Sequence, residues 1–160
     1  MSFDLLVSTP RLPEDLGKVW VDGFRRHGFE VEPSPAFDPA SWRGGFLPFR
    51  VGAAPEALVG LALPDAAVSG FEVSFGAEDT FFRFGSGGPT TEFAMLCLGA
   101  ALLAEAVDGV YENPQSGEHH RGAAAIDAAL AEIRAFVKAA GPRERVHHSF
   151  PGWKALGVEV

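Results

Sequence analysis

The stretch that decides the fold reads TFFRFGSGGPTTEFAMLCLGAALLAEAVDGVYENPQSG and occupies residues 80–117. A phenylalanine-rich run opens it, and a glycine-rich loop follows at residues 85–89. Residues 90–107 are almost wholly apolar and carry only two charges, which predicts a helix that other elements cover on more than one side. Residues 110–112 then predict a strand, and residues 113–117 predict a turn. The stretch therefore predicts a strand, a buried helix and a further strand at the centre of one α/β core.

The residues before this stretch predict one helix and several strands. Apolar side chains recur at helical spacing in residues 13–27, and Gly28 follows them as the end of that helix. The predicted strands are short apolar or alternating runs separated by Gly, Pro, Asp or Ser, at residues 3–8, 29–32, 46–51, 58–63, 68–75 and 80–84.

The residues after this stretch predict a second long helix at 123–139 and a last edge strand in the C-terminal tail. We find no internal repeat and no linker that would divide the chain. We therefore predict an α+β fold in a single domain, residues 1–160. In this fold an antiparallel sheet of five or six strands packs against two or three helices, at residues 13–27, 90–107 and 123–139.

The composition excludes a disordered, collagenous or low-complexity chain. A chain of 160 residues, with 47% hydrophobic and 21% charged residues, is typical of one globular domain. Its formal net charge is -8. A negative field repels phosphate backbones, so we expect no nucleic-acid partner, whereas a basic protein would be attracted.

Two sequence features bear on the location of the protein. The single cysteine, Cys97, lies inside the apolar helix, which favours a reducing compartment because no intramolecular disulfide can form. The N-terminus lacks the basic start and long apolar segment of a signal peptide, and the run at residues 93–104 is shorter than the roughly 20 residues that span a membrane. We expect a cytoplasmic protein without a membrane partner.

Four of the five histidines form two adjacent pairs, at residues 119–120 and 147–148. Imidazoles with a nearby carboxylate such as Glu112 or Glu118 are ligands for zinc. The spacing matches no metal signature, so solvated loop histidines are the preferred interpretation, and no cofactor is predicted. A small metal-dependent hydrolase that uses these pairs stays open as an alternative function.

Other catalytic or ligand sites are weakly indicated. The loop at residues 85–91 precedes a helix N-terminus, which can hold an anion, but it lacks the lysine of a phosphate loop. Cys97 is expected to be buried and inert. Ser86 lacks the spacing of a nucleophile elbow. We predict no catalytic residues.

Partner-binding residues are predicted where carboxylates fall in loops beside aromatic residues that look exposed. Aromatic anchors surrounded by carboxylates are what an interface for a basic protein would use. The predicted partner-binding residues are Trp42, Glu78, Asp79, Tyr111, Glu112, Glu118 and Trp153.

Residues 71–117 also carry a family resemblance. An apolar helix ends in Asp108-Gly109, and a short strand then leads to Asn113-Pro114-Gln115. This pattern resembles a group of small bacterial α/β domains that are similar to the immunity proteins encoded beside secreted polymorphic toxins. The resemblance covers about a quarter of the chain and brings no catalytic residues with it. It implies a non-catalytic, antitoxin-like protein that binds and neutralises a cognate toxin; a ligand-binding or structural domain without a toxin stays open.

Overall fold

A computed structural model describes residues 2–160 of the protein. Over these residues the chain forms eight strands, four helices and one short 3-10 turn. In chain order the elements are β1 Ser2–Ser8, α1 Leu16–Arg26, β2 Glu30–Pro33, β3 Phe46–Ala53, α2 Glu56–Val59, β4 Ala67–Phe75, β5 Asp79–Gly85, α3 Thr90–Val107, β6 Val110–Asn113, β7 Glu118–Arg121, α4 Ala124–Ala139, β8 His148–Ser149 and the turn Lys154–Leu156.

The strands form one antiparallel sheet in the order β2-β3-β4-β5-β1-β6-β7, with β8 paired to the start of β4. β1 lies inside the sheet because it pairs along its full length with β5 and pairs also with β6. Successive side chains of a strand point to opposite faces. Leu5 and Phe82 are buried against the helices, whereas their neighbours Leu6 and Phe81 point to the other face, which no helix covers. We term this second surface the open face.

The central helix α3 packs on β4, β1 and β5, and it lies between α1 and α4. Fourteen of its residues are buried, which confirms the predicted all-round burial. Gly99 permits a close approach to the sheet, since a Cβ atom there would lie 2.9 Å from the Phe71 ring. The Gly99 carbonyl accepts a hydrogen bond of 3.0 Å from the Trp20 indole, so a buried donor is satisfied and α1 is joined to α3.

The structure confirms the α+β fold with an antiparallel sheet, and α3 has the bounds predicted for it. The strand predicted at residues 58–63 is wrong, because Glu56–Val59 form the short helix α2. Pro55 precedes this helix and Glu56 lies in its first turn, two features that favour a helix start. Gly60 then ends it with φ of 81°.

Strand β7 was not predicted, because its sequence Glu-His-His-Arg has no apolar residue to mark a buried face. It is held as an edge strand by backbone pairing with β6. With β7 and the two-residue β8, the described sheet has more strands than the five or six expected.

The Asn-Pro-Gln turn has a structural role at the sheet. The side chain of Gln115 accepts a hydrogen bond from the Asp4 amide and donates one to the Asp4 carbonyl, both at 2.8 Å. The side-chain oxygen of Asn113 in turn accepts a hydrogen bond from the backbone N–H of Gln115 at 3.0 Å. The carboxamide therefore takes the place of a neighbouring strand at the start of β1, where β6 has already ended.

Helix α3 is long and apolar enough to cross a membrane by length and composition alone. However, 78% of it is buried inside the fold. A core helix of a soluble protein has these same properties, and the compact fold is consistent with a soluble protein.

Candidate functional site

The open face carries side chains that the strand register brings into rows. One row runs through Ser74, Phe81, Leu6 and Glu112, which lie opposite one another on β4, β5, β1 and β6. Phe81 is 44% exposed. A large ring at the centre of a sheet is normally covered by other elements. Here the ring is accessible, and the row ends in the carboxylate of Glu112.

A second row lies beside the first and is mostly charged. It runs through Phe46, Glu72, Arg83 and Asp4 on β3, β4, β5 and β1. Arg83 donates from Nε to Asp4 Oδ1 at 2.8 Å, while Glu72 faces it from the opposite strand. Phe46 is 45% exposed. The row adds a second exposed ring, and it holds one cation between two carboxylates.

A shallow cavity of about 410 Å³ lies on the open face over these rows. Asp4, Leu6, Glu72, Phe81 and Arg83 line it. The cavity thus combines an apolar centre with charged groups at its rim, which is the composition of a protein-binding patch.

The sequence pattern could have found part of this surface. In Phe81, Phe82, Arg83 and Phe84, apolar residues occupy both faces of one strand, so one face must expose a phenylalanine unless helices cover both faces. The residues beside Phe81 could not be predicted from the sequence of β5 alone, because Leu6 lies next to Phe81 only through the pairing of β1 with β5.

Among the predicted partner-binding residues, Glu112 lies on the open face, opposite Leu6 and His119. Glu118 lies on the other side of the edge strand, because it pairs with Asn113, which is buried towards the helices. Glu118 is exposed, and its carboxylate is 3.4 Å from His120 Nε2.

The prediction that Tyr111 is an exposed anchor is wrong. Tyr111 is fully buried, since β6 turns this side chain towards α4. Its hydroxyl donates to Glu132 Oε1 at 3.2 Å. Burial raises the pKa of Tyr111 far above its usual range, so the phenol stays protonated and serves as a donor inside the core.

The two tryptophans among the predicted partner-binding residues are half-buried and lie in different parts of the fold. Trp42 donates from Nε1 to the Val73 carbonyl at 2.8 Å, and its ring packs edge-on against Phe37 at 5.7 Å. Trp153 packs against Phe150 at 4.9 Å, near the start of β4 where β8 pairs. Each tryptophan therefore closes an edge of the fold and presents only part of its ring to solvent.

Glu78 and Asp79 lie at the hairpin between β4 and β5, where Glu78 is exposed and Asp79 is half-buried. The Glu78 carbonyl accepts from the Thr9 amide at 2.7 Å, which attaches this hairpin to the end of β1. The structure thus distributes the predicted partner-binding residues over separate edges and one face.

The histidine pairs do not converge. His119 and His120 lie on β7 and pair with β6, whereas His148 lies on β8 beside β4. His147 Nε2 is 3.2 Å from Asp65 Oδ1. No group of three or more His, Cys, Asp or Glu side chains in residues 2–160 has the arrangement of a metal site.

The loop at residues 85–91 forms the turn from β5 into α3. The Thr90 amide donates to the Glu144 carbonyl at 2.6 Å, so one donor of the helix N-terminus is already occupied. Glu92 lies in the first turn, and burial together with nearby Glu72 raises its pKa. Two carboxyl groups near this end disfavour a bound anion.

Cys97 is buried in α3, as predicted, and burial raises its pKa well above the usual value. A thiol that stays protonated and is out of contact with solvent is a poor nucleophile.

Comparisons with protein-family models, with curated proteins and with solved structures found no match to this chain. The chemistry of its surfaces is therefore the basis for a functional proposal.

Proposed function

We propose that this chain is a non-catalytic binding protein whose open face binds a basic protein partner. The observation that carries the proposal is the exposure of Phe81 and Phe46 on a sheet face that no helix covers. Burying two such rings in an interface would remove apolar area from water, and aromatic anchors of this kind often dominate binding energy.

The charges around these rings favour a basic partner. Asp4, Glu72 and Glu112 lie in the same rows as the rings, whereas Arg83 is the cation between them. Because Arg83 is paired with Asp4, Glu72 is left to meet positive groups of a partner. Glu112 has His119 Nε2 at 3.9 Å and can also face a partner. The net charge of -8 would also attract a basic protein over longer distances.

We further propose that the partner is a secreted toxin and that the chain is its cytoplasmic immunity protein. This step is supported by the resemblance of residues 71–117 to immunity proteins. It is also compatible with a surface that could cover a basic active site without any chemistry of its own. A toxin that acts on nucleic acid would carry such a basic site, because it must bind phosphates.

The test is a binding measurement with the protein encoded by the neighbouring gene. Phe81→Ala should weaken the affinity by about tenfold or more, the loss expected of an aromatic anchor. Val160→Ala is the control, because Val160 is an apolar residue that is 87% exposed and lies outside the sheet. Both variants should melt close to the parent. Equal affinity of both variants, or no binding by the parent, would contradict the proposal.

A further inference from the structure

A second cavity, of about 570 Å³, opens on the helix side of the sheet. It lies where β1 begins, β5 ends, α3 begins and α4 ends. Four phenylalanine rings line it, and we term it the aromatic groove: Phe3, Phe84, Phe93 and Phe136. Its volume lies in the range of small-molecule sites, roughly 300 to 1,000 Å³.

The four rings hold one another in fixed positions. Phe93 and Phe136 are stacked with centroids 4.1 Å apart, and Phe84 meets both of them edge-on, at 5.2 and 5.5 Å. Phe3 packs on Phe93 at 5.0 Å. These contacts join β1, β5, α3 and α4, so the groove has a preformed wall.

A carboxyl group lies in the groove beside the rings. Glu132 lines it from α4, and its Oε1 accepts the hydrogen bond of the Tyr111 hydroxyl. The side chain of Asn113 also lies against this carboxylate, so a ligand would share Glu132 with Tyr111 and Asn113. Burial raises the pKa of Glu132, because a charged carboxylate is costly to bury, and the side chains of Asn113, Tyr111 and His120 offset only part of this cost.

The charged side chains that line the groove are both acidic, and His120 of β7 is a basic group near Glu132. Glu144 is a second carboxylate at the groove, and no Lys, Arg or His is among the described residues that line it. A ring face attracts cations through its quadrupole.

We propose that the aromatic groove binds a small apolar organic cation, with an ammonium group at Glu132 and a hydrocarbon part against the four rings. The groove and the open face lie on opposite sides of the sheet. This site is therefore independent of the proposed protein-binding surface, and either can fail without the other.

Three probes of equal chain length test the proposal: hexylammonium, 1-hexanol and hexanoate. An NMR titration of the full chain at pH about 8, where an alkylamine is still protonated, would follow the amide signals of Glu132 and Phe136. Hexylammonium should give saturable shifts at these positions. Hexanol should bind about tenfold more weakly or worse, and hexanoate more weakly still.

Two variants keep the test specific. Glu132→Gln retains an acceptor for Tyr111 and should still fold, yet it should lose the preference for hexylammonium over hexanol. Glu14→Gln makes the same charge change before α1 and should behave as the parent. Ala135→Trp should fill the groove and abolish binding of every probe. Equal binding of hexylammonium and hexanol, retention of the preference in Glu132→Gln, or the absence of saturable shifts would overturn the proposal.

Discussion

Replacing Leu98 with alanine tests the central position of α3 in the core. Leu98 is fully buried in the middle of this helix, which lies on the sheet between α1 and α4. No polar face of α3 is free to turn outward, so the structure around the missing atoms has little room to relax. The substitution should therefore leave a cavity.

The expected loss of stability follows from this burial. Removing about three methylene-sized groups loses roughly 2.4 kcal/mol of transfer free energy, and the cavity raises the total to about 2 to 5 kcal/mol. This is a large part of the ~5 to 15 kcal/mol that stabilises a typical domain. For a chain of this length it corresponds to a fall in Tm of roughly 5 to 20 °C.

Thermal and urea unfolding of Leu98→Ala and Leu156→Ala would measure the effect. The two variants share the same chemistry, but Leu156 is 36% exposed and should lose far less stability. If Leu98→Ala unfolds with the Tm of the parent, α3 is not the packed centre of the fold. A similar loss in both variants would show that burial is not the cause.

Two further changes have opposite expected effects on stability. Gly109→Ala should destabilise the fold by at least about 1 kcal/mol, because a Cβ atom there would lie 2.2 Å from the Ser8 carbonyl oxygen. Gly85→Ala is the control: a Cβ atom at residue 85 would meet no atom within 4 Å, so the urea midpoint should change little. Glu132→Gln should raise Tm at pH 8 and give no such gain near pH 3.5. Burial raises the pKa of Glu132 in the folded state above its value in the unfolded chain. The stability that its protonated form contributes is therefore complete below the unfolded pKa and is lost as pH rises through the folded pKa. Glutamine stays neutral at both pH values, so it gains stability over glutamate only at the higher pH. Equal Tm gains at both pH values, or an unaffected Gly109→Ala, would contradict these explanations.

Local patterns in the sequence predicted most of the secondary structure. The bounds of α3 follow from an unbroken apolar run between a glycine-rich loop and Asp108-Gly109. β7 has no such pattern, because an edge strand of polar residues is held by backbone bonds to β6. Residues 58–63 were misassigned because a short apolar run does not distinguish a strand from a buried helical turn.

The candidate site was less predictable, since it depends on contacts between distant residues. Tyr111 looked like an exposed anchor because its acceptor, Glu132, lies on another element. The exposure of Phe81 depends on all helices packing on one face. Its neighbour Leu6 is distant in sequence and reaches it only through the pairing of β1 with β5. The sequence does show the net charge, and the expectation of a basic partner still depends on it.

The most direct test of the binding proposal is the association rate with the neighbouring gene's protein, measured between about 0.05 and 0.5 M salt. Glu112→Lys and Glu14→Lys change the net charge equally, but only Glu112 lies on the open face. The proposal predicts a rate for the parent that falls steeply with salt, and a slower rate at low salt for Glu112→Lys than for Glu14→Lys. A rate that is insensitive to salt, or equal rates for the two variants, would contradict the binding of a basic protein at the open face.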